Sequence, residues 1–138
     1  MEKTRIVLDT NVLLAGLYSS AGASHKVLDA VEREKVAIVL SIALVFEYEE
    51  VLKRHKRSLG LSNEDVDVVL DNLCLLGEHQ TIYFLWRPQL RDPKDDHLLE
   101  LAVASGVDTI VTHNVRDFRG VEKFGIRAIT PGKFLEEI

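Results

Sequence analysis

The stretch Arg5-Ile6-Val7-Leu8-Asp9-Thr10-Asn11-Val12-Leu13-Leu14 constrains the fold more than any other part of the chain. Apolar residues run unbroken from Ile6 to Leu8, stop at an aspartate, and resume after two further polar residues. A run of that length predicts a buried strand that delivers one carboxylate to the edge of a sheet. In open α/β folds, ligands bind in the crevice beyond the carboxyl ends of parallel strands, which makes Asp9 a candidate for chemistry. A structural role is also open to it, because aspartate readily accepts hydrogen bonds from the free N–H groups of a helix's first turn.

The rest of the chain alternates strand and helix patterns. Val12 to Tyr18 reads as a short helix, Ser19-Ser20-Ala21-Gly22 as a loop, and Ser24 as the cap of a second helix carrying Val27, Leu28 and Val31 at helical spacing. Val36 to Leu40 is wholly apolar and rich in β-branched residues, the pattern of a strand covered on both faces. Ser41 caps a long helix reaching about Ser58, with Leu44, Tyr48, Val51 and Leu52 as its apolar stripe. Glu47 falls beside that stripe, whereas Glu49 and Glu50 turn toward solvent. Gly60 ends this helix, and Ser62 caps another over Asn63 to Leu76. Thr81 to Trp86 is strand-like and Pro88 closes it; Tyr83, Phe84 and Trp86 read as core or interface residues rather than base-stacking platforms.

Arg91-Asp92-Pro93-Lys94-Asp95-Asp96-His97 opens the next helix, with Asp92 at the cap and Pro93 in the first helical position. Capping and the helix dipole account for one or two acids there, but three within five residues exceed that need. Helical spacing leaves open whether Asp95 or Asp96 faces the crevice. Asp108 to Asn114 then repeats the opening design, an apolar strand breaking into polar groups. A last strand, Ile126 to Ile129, and a helix begun by Thr130-Pro131 follow.

Composition narrows the class. A chain of 138 residues with 46% hydrophobic and 28% charged residues is expected to fold as one soluble domain over residues 1–138. It contains no run of ~20 apolar residues, and its start enters a strand rather than a signal sequence, so a cytoplasmic protein with no membrane association is expected. The single cysteine, Cys74, excludes an intramolecular disulfide and a cysteine-rich zinc site. A net charge of −5 argues against indiscriminate nucleic-acid binding but not against a nuclease, whose acidic site contributes negative charge of its own. The basic run Lys53-Arg54-His55-Lys56-Arg57 has two readings: complement to a helix's negative end, or a patch in which Lys53, Arg54 and Lys56 track RNA phosphates.

Alternating strands and helices predict a three-layer α/β/α sandwich around a mostly parallel sheet. Asp9, Glu47, Asn114 and either Asp95 or Asp96 can converge at the carboxyl edge of that sheet. Carboxylates gathered in a partly desolvated crevice repel unless a cation neutralises them, and oxygen-only ligation suits Mg²⁺ or Mn²⁺. A hard divalent ion with room for water supports phosphodiester hydrolysis.

These residues resemble the PIN-domain ribonucleases, in particular the toxins of bacterial and archaeal toxin–antitoxin pairs. The resemblance spans essentially the whole chain. It rests on Leu8-Asp9-Thr10-Asn11-Val12-Leu13, on Ser41 with Glu47 and Val51-Leu52, on Asp92-Pro93-Lys94-Asp95-Asp96 leading into Leu99-Glu100-Leu101-Ala102, and on Val111-Thr112-His113-Asn114 with Asp117-Phe118. It implies a PIN-like nuclease fold and carries three acids over to Asp9, Glu47 and Asp96, choosing Asp96 over Asp95. The fourth acidic position falls on Asn114, where many members have aspartate. Asparagine keeps an oxygen but loses the charge, and Asp117 is the neighbouring acid that would take over part of the role. The resemblance therefore implies a metal set of Asp9, Glu47, Asp96, Asn114 and Asp117, with Asn11 and Thr112 orienting the acids. It further implies an RNA substrate, a homodimer and inhibition by a separately encoded antitoxin.

Two other readings compete. A catalytically degenerate PIN scaffold would bind RNA or a protein without cutting. A haloacid-dehalogenase-type phosphohydrolase would need a second aspartate two residues after the first, where this chain has Asn11.

Overall fold

The computed structural model describes residues 3–82, 90 and 93–138. Five strands form one parallel sheet: β1 (Thr4–Leu8), β2 (Val36–Leu40), β3 (Glu78–His79), β4 (Thr109–Val111) and β5 (Arg127–Ile129), in the spatial order β3-β2-β1-β4-β5. Every residue of β2 is buried, as are Ile6 to Leu8 of β1 and all of β4. Successive side chains of a strand point to opposite faces, so helices cover both sides of the sheet, as expected of a three-layer α/β/α sandwich.

The helices are α1 (Thr10–Tyr18), α2 (Ala23–Glu32), α3 (Ile42–Arg54), α4 (Lys56–Leu59), α5 (Asn63–Leu76), α6 (Asp96–Ser105) and α7 (Pro131–Glu137). Their ends follow local chemistry. Ser41 accepts from the Leu44 N–H, Ser62 and Asp65 complete a reciprocal capping box, and Thr130 caps α7 ahead of Pro131. Gly106 closes α6 at φ +73°, a left-handed conformation costly for any residue with a Cβ. No helix among the described residues is long and apolar enough to cross a membrane.

Three local expectations change. The helix begun at Ser41 stops at Arg54, and a single turn, α4, follows a break at His55, whose Nδ1 pairs with the Val51 carbonyl. Gly22, not Ser24, is the cap of α2; Ser24 lies inside the helix and its Oγ pairs with His113 Nε2 at 2.8 Å. The strand beside β2 is Glu78–His79, ahead of the segment expected from Thr81 to Trp86. Gly77 permits that close approach, since a Cβ there would stand 2.6 Å from Leu40 Cδ1, and Arg5 of β1 anchors Glu78 by an ion pair at 3.0 Å. Tyr83, Phe84, Trp86, Pro88 and the Asp92 cap lie outside the described residues.

The order of strands places the site. From β1 the chain builds outward through β2 to β3, then crosses to β4 and β5 on the other side of β1. The carboxyl ends of β1 and β4 therefore flank the point where the winding reverses, the usual ligand crevice of such sheets.

Candidate functional site

Asp9 directly follows β1, and its N–H bonds to the Val111 carbonyl at the end of β4. Its backbone occupies the cap position of α1, where the Asp9 carbonyl accepts from Val12, yet its carboxylate makes no capping hydrogen bond. Instead, Thr112 Oγ1 donates to Asp9 Oδ2 at 2.7 Å. Thr112, fully buried, also accepts from the Asn114 N–H at 3.0 Å and lies 3.5 Å from Asn11 Nδ2. Asn11 Oδ1 in turn accepts from the His113 N–H. Asn11 and Thr112 thus lace the ends of β1 and β4 together around Asp9.

Glu47 comes from α3, one position before the fully buried Tyr48, whose hydroxyl donates to the Leu8 carbonyl. Both carboxylate oxygens of Glu47 are held from distant parts of the chain. Thr10 Oγ1 donates to Oε2, and His97 Nε2 lies 3.2 Å from Oε1. Glu49 and Glu50 instead pair with Lys53 and Arg54 on the same helix, as expected of an outward face.

The two acids are electrostatically distinct. Burial raises the Asp9 carboxyl above its ordinary value, and the charge of Glu47 adds to this, while the Thr112 and Thr10 hydrogen bonds oppose it. Burial also penalises ionised Glu47, but the bonds from His97 and Thr10 prevail and hold it below the usual value. Tyr48 is pushed well above its normal range by burial, with Asp9 and Glu47 both contributing. All three groups therefore share one electrostatic environment at the carboxyl end of β1.

Asp96 opens α6 and is fully buried, with its Oδ1 accepting the Leu90 N–H at 2.9 Å. It stands next in sequence to His97, which reaches Glu47. Asn114 precedes a 3₁₀ turn, Val115–Phe118, whose Asp117 is half-buried and donates its N–H to the Asn114 carbonyl. Asp9, Glu47, Asn11 and Thr112 are thus linked directly or through one intermediary. Asn114 meets Thr112 through its backbone N–H, Asp117 bonds the Asn114 carbonyl through its own, and Asp96 is the sequence neighbour of His97. Among the described residues, no three or more His, Cys, Asp or Glu side chains are gathered as a metal-holding group.

The donor chemistry nevertheless fits a hard divalent ion. Mg²⁺ is usually held by one or two carboxylates, several waters and substrate phosphates, so the Asp9–Glu47 pair does not have to form a closed cage. A buried carboxylate disfavoured by a second acid is the local imbalance that such a cation relieves.

Sequence reasoning gave Thr10 and His97 no part in the site and placed Tyr48 only on the apolar stripe of its helix. Thr10 sits between two candidate residues and His97 directly follows Asp96, but residue spacing carries no sign that both turn to Glu47. The basic residues are also distributed unevenly. Lys53 bridges Glu49 and Asp67, Arg54 bridges Glu50, and Lys56 bonds Asn63. Arg116 and Arg119, exposed on and just after the turn that follows Asn114, make no ion pair among the described residues.

Comparison with solved structures reveals a likeness to a chain in the crystal structure of VapBC2 from Rickettsia felis bound to a DNA fragment from their promoter. The TM-score is 0.61 at 14% identity, over 91% of this chain and 98% of the other, which establishes a shared fold. A search of curated proteins finds no match. The family model of the PIN domain matches residues 5–116, from the first strand through the acids and the β4 edge to the turn beyond it, and the chain belongs to the PIN domain family.

Proposed function

We propose that this protein is a Mg²⁺- or Mn²⁺-dependent endoribonuclease and the toxin of a toxin–antitoxin pair. The observation that carries the reading is the pairing of Asp9, held by Thr112, with Glu47, held by Thr10 and His97, at the winding reversal of the sheet. PIN-family membership supports a nuclease, and the likeness to VapBC2 together with the sequence resemblance supports a toxin.

Asp9 and Glu47 would hold the ion, with Asp96, Asn114 and Asp117 around the rim. A bound divalent cation activates water and stabilises charge on phosphodiester oxygens. The chain's own part is to fix the acids: Thr112 and Asn11 set Asp9, while Thr10 and His97 set Glu47. Arg116 and Arg119, exposed on and just after the turn that follows Asn114, would contact an RNA backbone approaching it, and Lys53, Arg54 and Lys56 would form a second basic strip. Cytoplasmic location, homodimerisation and a separately encoded antitoxin belong to the same reading.

Incubation of RNA with the purified protein and Mn²⁺ or Mg²⁺ tests it directly. Cleavage abolished by chelation and by Asp9→Asn is expected. Asn114 in place of an acid, and the lack of a gathered triad among the described residues, favour a second reading: a PIN scaffold that binds without cutting. Retained RNA binding with no metal-dependent cleavage would establish it.

A further inference from the structure

Beside the Glu47–His97 pair, a cleft of about 560 Å³ opens between the start of α3, the chain after β3 and the first turns of α6. Its volume falls within the ~300–1,000 Å³ typical of small-molecule sites. We infer that this cleft is the subsite for a nucleobase carrying an exocyclic amine, next to the phosphate being cut; the inference rests on the ribonuclease reading.

The walls select the chemistry. Ile42 and Ala43 offer an apolar side, His79 and Gln80 a polar one, and among the described residues no lysine or arginine contributes. Glu100, almost fully buried, places a carboxyl group on the same lining. A phosphate would lose its hydration there with no cation among the described lining residues to replace it, and would meet the Glu100 carboxyl group. A flat, uncharged base with hydrogen-bonding edges suits the mixture, and carboxylates accept hydrogen bonds from exocyclic amines such as that of cytosine. Gln80 anchors the wall through its backbone N–H to the Leu40 carbonyl, and its side-chain Nε2 bonds the Thr81 carbonyl.

Position links the cleft to the acids. His97 lines it and also reaches Glu47 at 3.2 Å, so an occupant would sit one side chain from the proposed metal ligand. From the rim, Ile42 and Phe46 continue outward one helical turn apart, 77% and 64% exposed. An exposed aromatic beside an acid is a surface on which the next base can stack.

Equilibrium dialysis of the metal-free protein against cytidine and uridine tests the inference, since these carry no phosphate and differ in the 4-amino group against a 4-carbonyl, with N3 an acceptor in the first and an N–H donor in the second. Cytidine is expected to bind at least tenfold more tightly than uridine. Ala43→Phe, at an exposed position that fills the cleft, should lower cytidine affinity at least tenfold with its melting temperature and Mn²⁺ affinity held. Equal binding of the two nucleosides, no binding of either, or cytidine binding that survives Ala43→Phe would overturn the subsite. Mn²⁺ titration and RNA cleavage on the same preparation separate the two claims. If the protein binds metal and cuts RNA but ignores nucleosides, the cleft alone fails; if it neither binds metal nor cuts, the ribonuclease reading fails.

Discussion

Thr112 donates its hydroxyl to Oδ2 of Asp9 at 2.7 Å across 103 residues of sequence, joining the carboxyl ends of two adjacent parallel strands at the acid on which the site is centred. That bond, with the two that Thr112 Oγ1 accepts from Asn11 Nδ2 and the Asn114 N–H, sets Asp9's orientation more firmly than its place at the start of α1 does.

Thr112→Val keeps the side chain's shape but strands both Asp9 Oδ2 and the Asn114 N–H. A buried polar group left without its partner costs about 1–3 kcal/mol, so a lower melting temperature is expected. Loss of an orienting group typically weakens metal affinity ~10–100-fold. Calorimetric titration with Mn²⁺ should show that loss, and Thr112→Ser should recover most of it. Unchanged Mn²⁺ affinity in the valine variant would remove Thr112 from the site.

Asp9→Asn should stabilise the metal-free protein at neutral pH. Burial, reinforced by Glu47, raises the folded carboxyl above 3.8, so within that window the folded state binds more protons than the unfolded one. Stability then falls as pH rises from the unfolded value through the folded one, and the penalty persists above it. The asparagine variant escapes the penalty while still accepting from Thr112. Its melting temperature should exceed the parent's at pH 7, with the gap closing below about pH 3.8, where both side chains are neutral. Added Mn²⁺ should reverse the order by stabilising only the parent. A variant less stable than the parent at pH 7 without metal would contradict this account.

His97 acts on Glu47 as a positioning residue. His97→Ala leaves one oxygen of Glu47 unheld, and His97→Gln keeps a donor on a shorter reach. The alanine variant is expected to lose about tenfold in Mn²⁺ affinity, within the range for orienting partners, and the glutamine variant less. Equal Mn²⁺ affinities for both variants and the parent would show that Thr10 alone suffices.

RNA binding should depend more on Arg116 and Arg119 than on Lys53, Arg54 and Lys56. The second set is engaged with Glu49, Glu50, Asp67 and Asn63, though surface pairs of this kind are worth only ~0–1 kcal/mol and can be exchanged. In the Asp9→Asn background, replacing both arginines with alanine should flatten the salt dependence of RNA affinity by roughly 0.7 per lost phosphate contact. The triple Lys53, Arg54, Lys56 variant should change it less. The reverse ranking would move the RNA track to α3 and α4.

Tyr48→Phe should destabilise the fold by about 1–3 kcal/mol, because the Leu8 carbonyl at the end of β1 loses its only side-chain donor among the described residues. Thermal unfolding measures it. An unchanged midpoint would mean that another donor replaces the hydroxyl.

What can be read from this chain without coordinates is whatever is decided within a few neighbouring residues. The apolar runs at Ile6 to Leu8 and Val36 to Leu40, the caps Ser41, Ser62 and Thr130, and the helix-closing Gly60 and Gly106 all act through hydrogen bonds and backbone preferences spanning a turn or two. The parallel sheet follows from their alternation. Contacts across the fold were beyond that reach. Glu78–His79 has no apolar pattern and becomes a strand because Gly77 fits against Leu40 and Arg5 holds Glu78. Glu47 could be placed beside the apolar stripe of its helix, but its holders, Thr10 and His97, stand 37 and 50 positions away. Sequence by itself determined which acids lie at element ends or beside an apolar stripe, since strand and helix signals are local. Only the tertiary structure decided which of those acids meet and which side chains hold them, because three-dimensional packing brings together groups whose separation along the chain carries no periodic signal.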